Sequence, residues 1–279
     1  MLIPAALMML QASAPTMTPR MPTTALPIPR RKPAPSVPAA APAPLVSSRL
    51  SACLAQAESD PAAALASAEA WGAAAKGTAA IDPAQCRGTA LGELGRWSDA
   101  VSAFTLARDL EVLPERKARF GAMAGNAALA AGDNARADSL LAAAHADAAA
   151  SPALAGDIAI DRARALFALG KTDAVAAALA EGRAASPGNA NGWLLSATLA
   201  RKQNRLAEAQ GWIERAAALA PADPGIGLEA GVIAVLSGHD EAARRSWQSV
   251  IAAAPGSPQA ATARGYLAQL AAPSPSKGP

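Results

Sequence analysis

Apolar residues recur at helical spacing through most of this 279-residue chain. The runs are bounded by residues that start or stop a helix, and reading between them predicts thirteen helices of roughly 10 to 18 residues. No segment alternates apolar and polar positions with β-branched enrichment, so no sheet is predicted. Five helix starts are marked by a capping acceptor before a proline: Asp60-Pro61, Asp82-Pro83, Ser151-Pro152, Asp223-Pro224 and Ser257-Pro258. The capping side chain accepts from free backbone N–H groups, and proline at the first helical position has no N–H to leave unpaired. Within each helix pair the turn is written with glycine, at Gly95-Arg96-Trp97, Gly132-Asp133-Asn134, Gly170-Lys171-Thr172 and Gly238-His239-Asp240. Glycine there takes the left-handed conformation that ends a helix, and Asn204, the next best residue for that geometry, replaces it in the fourth copy. The last helix, Pro258 to about Ala271, bears Arg264 and Gln269 on a wetter face and reads as a cap.

The helix pairs repeat. Five copies run from Asp82 to Pro255, the clearest from Ala190 to Asp223 with Trp193, Ala209, Ala216 and Pro221, and the next repeats the last three marks 34 residues on, at Ala243, Val250 and Pro255. Ala100, Ala137, Ala174, Ala209 and Ala243 are assigned to one slot early in each second helix, at spacings of 37, 37, 35 and 34 residues. Alanine there favours the helix and lets neighbouring axes approach closely. Units that touch only their neighbours build one elongated body without a globular core.

On these residues the chain resembles a tetratricopeptide repeat (TPR) protein of the bacterial exported type, most plainly over Ala190 to Pro255 and more loosely from Arg49 to Asn189 and in the final helix. The resemblance implies an all-α fold, a right-handed α-solenoid of five to six helix pairs plus a C-terminal capping helix, spanning residues 49–272 with 273–279 as a disordered tail. Two departures stand out. Trp193 has no aromatic counterpart, because Ala84, Gly121 and Gly227 fill its slot, and the third copy reads one residue short between Gly170 and Ala174.

TPR proteins usually line a concave face with their first helices and contact extended peptides there. Carrying that row over selects Arg119 and Asn126, then Asp157, Ile160 and Arg164, then Asn191, Leu194, Thr198, Arg201 and Lys202, then Leu228, Val232 and Val235. The resemblance therefore implies a non-enzymatic scaffold for a protein or peptide. Arg164, Arg201 and Lys202 are suited to an acidic residue or terminal carboxylate, and the Leu228 to Val235 patch to an apolar side chain. The carboxylate clamp of chaperone-binding members is incomplete, since Ala122 stands where it places a lysine.

Composition changes the picture mainly at the N-terminus. The pI of about 9.1 suggests nucleic acid until the charges are placed. Arg20, Arg30, Arg31 and Lys32 lie in an acid-free stretch, and from Arg49 onward 21 basic residues face 22 acidic ones, so no nucleic-acid face is expected. An apolar run from Met1 to Leu10 precedes Ala12-Ser13-Ala14, a small-x-small site, so residues 1–14 read as a signal peptide and the protein as periplasmic or secreted. Residues 15–48 hold ten prolines and read as a disordered linker. Its basic cluster supports an alternative reading, a structural envelope protein that meets cell wall or lipid through this tether. No segment of membrane-spanning length is free of charge and proline.

Cys53 and Cys86, the only cysteines, fall on the first helices of successive units, where a disulfide would staple the fraying N-terminal end; two unpaired buried thiols are the other reading. Leu50-Ser51-Ala52-Cys53 also reads as a lipidation site, but five prolines between Pro33 and Pro44 occupy the place of the required apolar helix. The segment ALFALGKT, Ala165 to Thr172, matches a loose nucleotide-loop pattern inside what reads as helical core, with Gly170 in the turn slot. His145 and His239 lie in different units without a second ligand at helical spacing, so neither a metal, a cofactor nor a catalytic pair is expected. Of the acids, Asp157 and Asp161 share a helix face and read as a solvated row, while Trp71, Trp97, Trp193, Trp212 and Trp247 read as packing residues.

Overall fold

The computed structural model describes residues 47–271. The helices are α1 Ser48–Ser59, α2 Pro61–Ala74, α3 Ile81–Glu93, α4 Trp97–Leu110, α5 Pro114–Ala130, α6 Asn134–Asp147, α7 Pro152–Ala168, α8 Thr172–Ala185, α9 Ala190–Lys202, α10 Leu206–Leu219, α11 Pro224–Leu236, α12 Asp240–Ala253 and α13 Pro258–Ala271. Six antiparallel pairs stack in chain order, α13 closes the stack, and the described residues contain no strand. The all-α solenoid expected from the repeats is the architecture observed. The signal-peptide segment 1–14, nearly all of the linker 15–48 and the tail 273–279 lie outside the described residues.

The five predicted turns are equivalent corners. Gly95, Gly132, Gly170 and Gly238 have φ between 70° and 78°, and Asn204, at 56°, is the only other residue type with positive φ among the described residues. In each corner the following N–H reaches back five residues, as from Arg96 to the Leu91 carbonyl and from Arg205 to the Ala200 carbonyl, both at 2.8 Å. This pattern satisfies a carbonyl that the end of the helix would otherwise leave free.

Three of the five expected caps form. Asp60, Asp223 and Ser257 accept backbone N–H bonds at the starts of α2, α11 and α13. Ser151 precedes Pro152 as expected, although its hydroxyl makes no capping bond. Asp82 does not cap. A 3-10 turn over Gly77–Ala80 runs directly into α3, Ile81 is drawn into the helix and buried, and the Asp82 carboxylate instead accepts from Ser47 Oγ at 2.7 Å. One start was not anticipated: the buried Glu111 carboxylate accepts the N–H groups of Val112 and Leu113 at 2.9 and 3.0 Å and pairs with Arg116, fixing the entry into α5.

Packing within each pair repeats a small residue on the first helix against a large one sixteen positions later. The pairs are Gly88 with Phe104, Gly125 with Leu141, Ala163 with Leu179, Ala197 with Ile213, and Gly231 with Trp247. A Cβ at Gly88 or Gly125 would lie 2.5 Å from the ring of Phe104 or the Cγ of Leu141, so the missing methyl is the space the partner occupies. The same register corrects the alanine slot in the third unit. Val175, 1% exposed, stands five residues after Gly170 just as Ala100, Ala137, Ala209 and Ala243 follow their corners, whereas Ala174 faces solvent. No residue is missing there, and the spacings become 37, 38, 34 and 34.

The N-terminal pair carries the one covalent cross-link. Cys53 of α1 and Cys86 of α3, 33 positions apart in sequence, are joined with their Cα atoms 6.0 Å apart. Closing a loop of that length contributes roughly 3 to 4 kcal/mol in the chain-entropy account. The sulfur that lipidation of Cys53 would need is occupied by this bond.

Candidate partner-binding groove

Successive first helices touch one another along the stack: α1 meets α3, α5 meets α7, and α7, α9, α11 and α13 follow in turn, while Phe120 of α5 packs with Ile81 and Ala84 of α3. No comparably close packing joins successive second helices. The first helices therefore form the tighter, inner layer, and hydrogen bonds knit it from unit to unit. Asn126 Nδ2 donates to Asp161 at 2.7 Å, Asn189 Nδ2 to Asp157 at 2.9 Å, and Arg201 Nε to Glu229 at 2.6 Å. Across the second helices Arg108 pairs with Asp147 and His145 with Glu181.

Most residues of the expected row lie on this layer, in varied roles. Arg119 is exposed and held by Glu115 one turn earlier. Asn126 spends its amide on Asp161, and Arg164, well exposed, stands 3.9 Å from the same carboxylate. Leu194 and Thr198 are half-buried, the Thr198 hydroxyl donating to the Leu194 carbonyl at 3.1 Å. Arg201 is already paired, because its Nε and Nη2 donate to the two carboxylate oxygens of Glu229 on α11. Lys202 is exposed with its ammonium 5.2 Å from the Phe167 ring centre. Ile160 leaves the row: it is 1% exposed and fills the space that Gly182 and Gly192 leave open.

Leu228, Val232 and Val235 continue the layer as a half-buried apolar patch. Beyond them Val232 and Val235 open into a cavity of about 350 Å³ that Leu236, Trp247, Tyr266, Gln269 and Leu270 complete. Trp247 lies against Tyr266 at 5.1 Å between ring centres and donates its indole N–H to the Leu228 carbonyl, so an apolar ring face forms the floor. The α13 contribution was absent from the sequence reading, which assigned that helix a capping role alone. Its signal is the trio Tyr266, Leu267 and Leu270, at helical spacing within an otherwise alanine-rich helix.

Electrostatically, Asp161 is the unusual member. Burial raises its carboxyl above the ordinary range and the neighbouring Asp157 adds to this, while Asn126 and Arg164 compensate only in part. It is thus no freely solvated row member. A carboxyl with a raised folded pKa makes the fold more stable when protonated, so its contribution declines as pH rises through that value. Asp161→Asn should therefore melt higher than the parent at pH 7, with the gap closing as pH falls toward about 4, the range of an unperturbed aspartate. A gap that is independent of pH would remove the burial argument.

The other chemistry resolves into structure. Lys171, the lysine of ALFALGKT, pairs with Asp138 at 2.8 Å, and Arg162 takes the other oxygen of that carboxylate at 2.7 Å. Burial works against the Asp138 charge, yet these two donors outweigh it and hold its pKa below the usual value. Gly170 is a helix corner and the segment before it is α7, not a strand. Trp71 lies under the Arg49 guanidinium at 4.4 Å, and Arg183 sits over Trp212 at 4.6 Å and Trp193 at 5.7 Å. Trp97 is 38% exposed, since it opens α4 at the surface and only its ring edge meets α3 near Gly92. Among the described residues no cluster of His, Cys, Asp or Glu has the makings of a metal site, and no helix is long and apolar enough to cross a membrane.

No family model and no curated protein matches the sequence. Solved structures do match its fold. A thermophilic TPR protein of Thermus thermophilus, TTC0263, aligns over 68% of this chain and 98% of its own at 16% identity and a TM-score of 0.55. BtubC from P. vanneervenii aligns over 84% and 97% at 14% identity and the same TM-score of 0.55. MamA from Desulfovibrio magneticus RS-1 aligns over 64% and 97% at 14% identity and a TM-score of 0.50. With its five matching corners and repeated small-against-large packing, the chain has the fold of the tetratricopeptide repeat proteins.

Proposed function

We propose that the protein is a non-enzymatic binding scaffold of the bacterial cell envelope, periplasmic or secreted, that holds an extended protein or peptide segment along the inner layer of its solenoid. The observation that carries this reading is the continuity of that layer. Its polar half, with Asn126, Asp157, Asp161 and Arg164, gives way to an apolar half that ends in the cavity beside Trp247. Such a division suits a ligand with one large apolar anchor, because desolvating the anchor supplies affinity while the polar contacts fix register. Lys202, exposed beside Phe167, rather than Arg201, is the cation this reading assigns to an acidic residue of the ligand. The pairing of the only two cysteines supports an oxidising compartment, consistent with the export signal read in residues 1–14.

A photocrosslinker at Thr198 in intact cells tests the groove, with one at the exposed Ser139 on α6 as the control. A discrete adduct is expected from Thr198 alone. Leu236→Asp combined with Lys202→Glu should abolish it without lowering the melting temperature, since both side chains are exposed. Equal adducts from Ser139, or an adduct that survives the double change, would withdraw the groove. Deleting residues 15–48 should leave the adduct intact, whereas a protein working through its tether would lose its location.

A further inference from the structure

The terminal helix pair is anchored differently from the units that follow. Several of its buried side chains are small, Ala57, Ala64 and Ala68 beside Leu50 and Leu65, with Leu54 and Trp71 only partly buried at the margin. Its polar links to α3 are few, the bond from Ser47 to Asp82 and the exposed Glu69–Arg87 pair at 4.0 Å, and within the described residues no unit precedes it to share the load. In a solenoid each unit gains stability only from its neighbours, so this pair depends most on the bond between Cys53 and Cys86.

That bond is approachable from one side. A cavity of about 260 Å³ is lined by Arg49, Ala52, Cys53, Gln56, Ser67 and Trp71, whereas Cys86 is fully buried and contributes nothing to it. Arg49, stacked over Trp71 at 4.4 Å, puts a positive charge in the wall, which favours an incoming thiolate. We propose that the disulfide is a thiol-exchange site at which a dithiol reductant, attacking Cys53, releases the N-terminal helix pair from α3.

The chemistry balances. The thiolate of the reductant forms a bond to Cys53 Sγ as the bond to Cys86 breaks, and Cys86 leaves as a thiolate that takes a proton from water. The second thiol of the reductant then attacks its own sulfur in the mixed disulfide. Cys53 departs and is protonated, and the reductant has given up two electrons and become a disulfide. The reduced Cys53 finds an acceptor in place, for the Ala64 carbonyl lies 3.8 Å from its sulfur. With the cross-link gone, opening of α1 and α2 uncovers the face of α3 around Cys86, a new apolar surface next to the inner layer. The groove from α5 to α13 keeps its own contacts, so the device acts at one end of the scaffold.

The test uses the full chain and a thioredoxin-type dithiol protein whose second cysteine is replaced by serine, which traps the mixed disulfide. The adduct is expected on Cys53 with Cys86 free, and Arg49→Gln should slow its formation several-fold. No adduct, or an adduct on Cys86, would overturn the assignment of the site. After complete reduction with a phosphine, amides of residues 48–74 should exchange hydrogen about tenfold faster or more while those of 190–255 keep their rates. The double change Cys53→Ser and Cys86→Ser should reproduce that pattern without reductant. Unchanged exchange in 48–74, or loss of protection along the whole chain, would show a passive staple and end the proposal.

Discussion

Replacing Trp247 by alanine should cost about 3 to 5 kcal/mol, the range for truncating a buried aromatic. The indole is 3% exposed, lies over Gly231 where a Cβ would collide with it, meets the Tyr266 ring at a tilt and donates to the Leu228 carbonyl. Nothing nearby is placed to refill the space, because Val232, Val235 and Leu270 already border an open cavity on the other side. The damage should also be local. Since units report only to neighbours, α11 to α13 should open first, visible as faster hydrogen exchange over 224–271 than over 97–185. Denaturant titration gives the total loss; a cost below about 1 kcal/mol would mean that the indole is not the floor of this end of the fold.

The second large effect concerns Gly125 and Leu141. Leu141 is fully buried and its truncation to alanine should cost about 2 to 5 kcal/mol. Gly125→Val should cost about 1 to 3 kcal/mol by overpacking, because its Cβ would fall 2.5 Å from the Leu141 Cγ, and the gain in helix propensity recovers only a few tenths. Together the changes should cost less than their sum, by about 0.5 to 3 kcal/mol, as the valine enters the space the leucine has left. Strict additivity in the double variant would break the small-against-large scheme in this unit. The scheme, if it fails here, is also in doubt for Gly88 with Phe104.

Where the sequence misled, the cause is a distance it does not encode. The third copy looked one residue short because Ala174 was the nearest alanine to the slot, and alanine is so frequent that identity alone could not separate it from Val175. Burial separates them at once. Asp82-Pro83 carried a valid start signal, but the 3-10 turn before it extended the helix by two residues and left the aspartate inside. Arg201 read as a ligand-binding cation because its partner, Glu229, lies 28 positions away on another unit, beyond any local pattern. Asp161 read as solvated for the same reason, since Asn126 reaches it from the preceding unit.

Local physics determined much of this protein from its residues alone. Left-handed corners need glycine or asparagine, helix starts need acceptors and prolines, and repeated apolar spacing needs a neighbour of the same kind, so the helix pairs and their stacking were legible one unit at a time. The tertiary structure alone decided how the polar groups of the row are engaged, because hydrogen bonds between units tie Asn126 to Asp161, Asp157 to Asn189 and Arg201 to Glu229 and leave Lys202 exposed. It alone also decided that α13 completes a cavity with α11 and α12. Both outcomes depend on side chains from different repeats arriving at the same place, and a pattern that describes one repeat at a time holds no information about where they meet.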